Sequence, residues 1–138
     1  MGRLRDALEA FEKAMRRFKS ALLKAREEEG SELYEFFRDS AIQRFEFTYE
    51  LLWKCVKFYL YEVHGVVCNS PRMCLREYLS MSGEAFSEEE GIRLLRLVDL
   101  RNLTAHTYDE ELAEEIFREL EVAYSLMERV LECLKGSS

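Results

Sequence analysis

Between positions 99 and 109 the chain reads Asp-Leu-Arg-Asn-Leu-Thr-Ala-His-Thr-Tyr-Asp, placing Arg101, His106 and Tyr108 within eight residues. These types suit a phosphodiester. A guanidinium such as that of Arg101 holds a phosphate oxygen and stabilises charge as it develops. An imidazole such as that of His106 titrates near neutrality and moves a proton. Together they are a candidate catalytic pair for metal-free RNA cleavage, in which a ribose 2′-hydroxyl attacks the adjacent phosphate. One histidine does not easily serve as both acid and base, and a symmetric homodimer would supply two. On an unbroken helix Arg101 and His106 lie ~140° apart, while Arg101 and Tyr108 nearly eclipse. The pair converges only where the helix loosens or ends, and the threonines with Asp109 favour a break there. The alternative use of the same residues is an interhelix turn, with Arg101 salt-bridged and His106 capping a helix end.

A second polar group lies upstream. Gln43, Glu46, Glu50, Lys54 and Lys57 form a line on an otherwise apolar segment. Glu50 and Lys54 stand four apart in the order that favours an ion pair. The line is either a solvated seam or a surface for a partner or substrate, with Glu46, Glu50 and Lys54 as its candidate contacts. Other reactive types have structural readings. His64, just before Gly65, sits where a helix closes and near the negative end of its dipole. The cysteines at 55, 68, 74 and 133 include no CxxC pair, so no zinc site is expected, and no other metal or cofactor is called for.

The elements that would position these residues are helical. Leu4, Leu8, Phe11, Met15, Phe18, Leu22 and Ala25 recur at alternating steps of four and three, one stripe of a helix ending near Gly30. Ser31 reads as the N-cap of the next helix, over about 32–63. Its main stripe is Leu33, Phe37, Ala41, Phe45, Thr48, Leu52, Cys55, Tyr59 and Val63, widened by Phe47 and Leu51 among others. Ser70-Pro71 starts a short helix bearing Met73, Cys74, Tyr78 and Leu79. Ser87 to Glu90 is a capping box opening a helix with Ile92, Leu95, Val98 and Leu100 on its apolar side. A last helix starts near Thr107–Asp109 and carries Leu112, Ile116, Leu120, Ala123, Met127, Val130 and Leu134. Gly136-Ser137-Ser138 reads as a frayed end. The expected fold is all-α: an antiparallel, up-down helical bundle of four long helices plus one short connecting helix, forming a single domain over 1–138.

Composition agrees. At 138 residues and 48% hydrophobic the chain suits one folded domain and not a disordered one. One proline and six glycines leave little for the many turns of a sandwich or barrel. Net charge is −7, unevenly spread: +5 over residues 1–26, −5 over 27–86 and −7 over 87–138. Duplex-phosphate binding wants a basic excess, so DNA is not an expected partner, while local contact with RNA stays open. The periodic N-terminus is no signal peptide and no apolar run approaches the ~20 residues that span a bilayer. The expectation is a cytoplasmic protein with reduced thiols and no membrane partner.

Two blocks together carry a resemblance: Ile42-Gln-Arg-Phe-Glu-Phe-Thr-Tyr-Glu-Leu-Leu-Trp-Lys54 and Arg101-Asn-Leu-Thr-Ala-His-Thr-Tyr108, with Ser70-Pro71-Arg72 between them. The chain, from about Leu4 to Leu134, resembles the nucleotidyltransferase substrate-binding proteins of the HEPN superfamily, helical-bundle partners of minimal nucleotidyltransferases. The resemblance implies that Arg101 and His106 match the superfamily's Arg-x4–6-His ribonuclease motif. It places Asn102 at the polar position that often follows the arginine. It makes Tyr108 the tyrosine of the Arg-x4-His-x-Tyr form found in toxin members, where the cognate nucleotidyltransferase antitoxin silences the toxin by adding AMP to it. Homodimers that bring two motifs into one cleft are expected on the same ground. The alternative within the resemblance is a non-catalytic subunit presenting substrate to a separate nucleotidyltransferase.

Overall fold

The structure, a computed structural model, describes residues 2–137. Five α-helices and one 3₁₀ turn follow one another: α1 (Gly2–Glu27), α2 (Tyr34–His64), α3 (Pro71–Met81), α4 (Glu88–Leu103), the turn Thr104–His106, and α5 (Glu110–Ser137). No strand occurs among the described residues, and no helix there is long and apolar enough to cross a membrane.

The all-α bundle is as expected, but its helices are unequal in role. The long helices α1, α2 and α5 pack on one another, while α3 and α4 lie beside them, α4 chiefly against α5 and α3. Every residue of the α1 stripe is buried, from Leu4 to Ala25. Phe11, Phe18 and Phe45 are wholly inaccessible. The Phe18 ring meets Phe45 at 6.0 Å and Tyr124 of α5 at 5.7 Å, tying the three long helices at one point. Such ring pairs add about 0.5–1.5 kcal/mol beyond area burial.

Boundaries follow local chemistry. Gly65, at φ 68°, closes α2, its N–H donating to the carbonyl of Tyr61 while Val66 N–H reaches that of Leu60. Ser70 caps α3 by accepting from Met73 N, with Pro71 in the first turn. The Ser87–Glu90 capping box is complete in both directions. Glu90 also meets Arg129 of α5, whose guanidinium lies 4.8 Å from the Phe86 ring centroid and donates to the Ala85 carbonyl.

Several expectations need correction. Ser31 does not cap α2; its hydroxyl accepts from Leu33 N inside a turn, and α2 begins at Tyr34. In α4 the buried row is Leu94, Leu97 and Leu100, whereas Ile92 is exposed and Leu95 and Val98 are half-buried. Two apolar rows compete on that helix, and the neighbours cover the other one. Met73 and Phe47 are also exposed. Gly136 and Ser137 continue α5 rather than fraying, and Ser138 lies outside the described residues. Cys68 and Cys74 are not reduced but disulfide-bonded, their Cα atoms 5.3 Å apart, because the start of α3 turns the chain back on the preceding loop. Cys55 and Cys133 are free thiols; burial pushes that of Cys55 up to about 12.

Candidate functional site

The helix carrying Arg101 does break before His106. Thr104 is buried, and its hydroxyl donates at 2.6 Å to the Arg101 carbonyl, which also accepts a backbone N–H at the end of α4. The same oxygen accepts from Arg101 Nη1 at 3.1 Å, so one threonine both ends the helix and steadies the guanidinium. The chain turns through Thr104–His106 and starts again where Asp109 Oδ1 accepts from the N–H groups of Glu111 and Leu112.

Arg101 faces α2. Its Nη1 is 3.7 Å from Glu46 Oε2 and its Nε 3.7 Å from Glu50 Oε1. The group is 30% exposed, yet Nε is buried and has no hydrogen-bond partner among the described residues. Two carboxylates around one guanidinium leave this spot net negative, and the distances are those of loose ion pairs. Glu50 also accepts from the Trp53 indole at 3.0 Å. The expected Glu50–Lys54 pair does not form among the described residues, because Glu50 is turned toward Trp53 and Arg101. Lys54 and Asn102 are exposed, without a polar contact of their own among the described residues.

His106 and Tyr108 form a separate couple. Both are exposed, Tyr108 to 83%, with ring centroids 5.9 Å apart at 80°. The tyrosine hydroxyl lies 3.5 Å from His106 Nδ1. No hydrogen bond joins Arg101 to His106 among the described residues. The break brings Glu46 and Glu50 to Arg101, and Tyr108 to His106; it leaves Lys54 and Asn102 at the surface.

Neighbouring elements brace this turn through pairings that sequence spacing does not reveal. Arg72, at the start of α3, meets Asp99 at 2.8 Å, two positions before Arg101. Arg38 of α2 is buried and holds the first turns of α5: Nη2 reaches Glu110 at 2.9 Å and Nη1 reaches Glu114 at 3.2 Å, with Asp39 at 3.0 Å. Burial alone would lower the Arg38 pKa, but these carboxylates outweigh it and hold the charge in place. The Tyr34 hydroxyl donates to Glu114; burial, then that carboxylate, pushes its pKa up. Tyr49, next to Glu50, is buried with no hydrogen-bond partner for its hydroxyl among the described residues. The one sequence signal for this brace is the acidic start of α5; nothing local identifies the buried cation that answers it. No group of side chains able to hold a metal ion occurs among the described residues.

Comparison with known proteins bears on this site. A family model described as nucleotidyltransferase substrate binding protein like matches residues 6–135, so the match takes in Arg101, His106 and Tyr108 together with their α2 neighbours. The crystal structure of ttk003001694 from Thermus thermophilus is similar over 85% of this chain and 98% of that one, at 41% identity and a TM-score of 0.67. No curated protein matches the chain.

Proposed function

Because the chain belongs to the nucleotidyltransferase substrate-binding protein family, we propose that it is the helical partner subunit of a minimal nucleotidyltransferase and that the Arg101–Tyr108 turn is its working surface. On this reading the subunit is a metal-independent ribonuclease of the HEPN type, a toxin restrained by AMP addition to Tyr108. Arg101 holds a phosphate oxygen and His106 carries the proton, with the second histidine supplied by a homodimer. The ribose 2′-hydroxyl attacks phosphorus, the 5′-oxygen leaves with a proton, and a cyclic phosphate remains. In the silencing step the Tyr108 oxygen attacks the α-phosphorus of ATP, pyrophosphate leaves, and His106 Nδ1 stands close enough to take the hydroxyl proton. The resulting phosphodiester adds bulk and negative charge next to the imidazole and repels RNA.

The observation that carries this reading is the exposure of Tyr108 beside His106. A tyrosine packed beneath α5 could not be modified without unfolding; this one is open to an enzyme. The test is RNA incubated in EDTA with the wild type, His106→Ala and Arg101→Ala. Cleavage by the wild type alone is expected, and equal background in all three rejects the nuclease.

A different observation favours the non-catalytic alternative. Glu46 and Glu50 already occupy Arg101, so an incoming phosphate must displace them. As a substrate-presenting subunit, the protein would use the same turn with Glu46, Glu50 and Lys54 as contacts and leave chemistry to the nucleotidyltransferase. Stimulation of the partner by His106→Ala and wild type alike, with RNA left intact, is the result that selects it.

A further inference from the structure

The basic excess of residues 1–26 has no part in the site above. In the structure half of its cations, Lys13, Arg16, Arg17 and Lys24, line one groove between α1 and α2. Two adjoining depressions, of about 420 and 280 Å³, share Arg17 and Arg44 as common walls. Lys13, Arg16 and Lys24 supply three more cations, and no carboxylate lines either depression. Arg16 is paired with Glu12, and Lys24 with Glu27 and Glu28. Lys13, Arg17 and Arg44 have no ion pair among the described residues, on a chain whose net charge is −7.

Aromatic rings stand among these charges. Phe37 lines the first depression, with Lys24 Nζ 5.4 Å from its centroid. Phe47 lines the second and is 52% exposed, beside buried Thr48. Between the cations the lining is mostly small, with Ala10, Ala14 and Ala21 and Leu51 as the one large aliphatic side chain. A docked helix needs deeper apolar anchors than alanine offers. Three unpaired cations beside the exposed ring of Phe47, with Phe37 half-buried, suit a single nucleic-acid strand, whose phosphates and base faces need both.

We propose that the α1–α2 groove binds single-stranded RNA, with Lys13, Arg17 and Arg44 on phosphates and Phe47 as a stacking face. Around α2, Arg44 lies roughly 160° from Glu46, so the Arg44 side of the groove opens on a different face from the Arg101 surface. Binding here does not rest on the cleavage reading; it would serve equally to anchor a strand for a nuclease or for a nucleotidyltransferase.

The test is fluorescence anisotropy of a labelled oligouridine RNA with full-length His106→Ala protein, which keeps the strand intact. Binding is expected at low salt, with a log–log salt slope near about −2 for three phosphates on a single strand. Arg17→Glu/Arg44→Glu should weaken it by about tenfold or more and flatten the slope, while Arg17→Lys/Arg44→Lys retains it. Phe47→Ala should weaken binding and leave the slope unchanged. Adding Arg96→Ala, at an exposed cation of α4 outside both surfaces, should change nothing; because anisotropy reads binding and not cleavage, failure of this proposal and failure of the nuclease are read separately. Absence of binding at low salt, insensitivity to the charge reversal, or equal binding of a poly-glutamate peptide overturns it; the last would assign the groove to an acidic protein.

Discussion

Arg101 Nε stands 3.7 Å from Glu50 Oε1, across the junction of α4 and α2, and has no hydrogen-bond partner among the described residues. The guanidinium is thus held by charge without being saturated. A phosphate oxygen can offer better geometry than Glu50 does, but it must first overcome the repulsion of two carboxylates. Glu46→Gln/Glu50→Gln removes that competition while keeping shape. Partly exposed pairs are worth about 0.2–1 kcal/mol each. RNA binding or cleavage attributable to Arg101 should therefore rise by roughly two- to thirtyfold in the double variant. A fall in activity would mean that the carboxylates orient Arg101 productively instead of masking it.

Tyr108 makes little contact with the rest of the molecule, so its role can be separated from stability. Tyr108→Phe should unfold within about 0.5 kcal/mol of the wild type, as exposed substitutions usually do. Incubated with the partner nucleotidyltransferase and ATP, the wild type should gain the mass of AMP on a peptide containing Tyr108, and the variant should not. Equal modification of Tyr108→Phe, or label on another peptide, sinks the proposed off-switch.

How much of this is legible in the sequence depends on the range of the interaction involved. The α1 stripe is readable because its spacing is set by the helix itself, and Ser70, Ser87 and Gly65 announce helix ends through contacts a few residues away. Asp109 and the threonines likewise mark the break that separates Arg101 from His106. Arg38 is invisible for the opposite reason: its partners Glu110 and Glu114 lie 72 and 76 positions on. Glu46 and Glu50 stand out as part of a polar line, yet only the packing of α4 beside α2 shows that Arg101 faces them. The α4 apolar row is misphased from sequence because Ile92-Leu95-Val98 and Leu94-Leu97-Leu100 have the same spacing, and only the neighbours decide between them.

Tyr49 and Leu52 sit three positions apart in the buried part of α2 and should respond in opposite ways to the loss of side-chain atoms. Leu52 is fully buried, and Leu52→Ala leaves a cavity costing about 2–5 kcal/mol. The Tyr49 hydroxyl is buried without a partner among the described residues, and an unmet hydroxyl costs about 1–3 kcal/mol. Tyr49→Phe should be neutral or stabilising by up to that amount. Urea unfolding of the two variants checks both signs, and a clear destabilisation by Tyr49→Phe would show that a water or ligand satisfies the hydroxyl.

The start of α4 should be acid-labile. Glu90 accepts from Ser87 N in the capping box and pairs with Arg129, and its pKa is lowered from 4.5 to about 2, first by the Arg129 hydrogen bond and then by the Ser87 backbone. A carboxylate held below its unfolded value binds fewer protons in the folded chain. Its contribution is therefore complete above pH 4.5 and disappears as the pH falls from there toward about 2. Glu90→Gln retains the backbone cap but not the charge. Wild type should exceed the variant in urea midpoint at neutral pH, and the gap should close on acidification below 4.5. A gap that stays constant with pH would mean that Glu90 contributes through packing and neutral hydrogen bonding, and that Arg129 is held by the Ala85 carbonyl and the Phe86 ring instead.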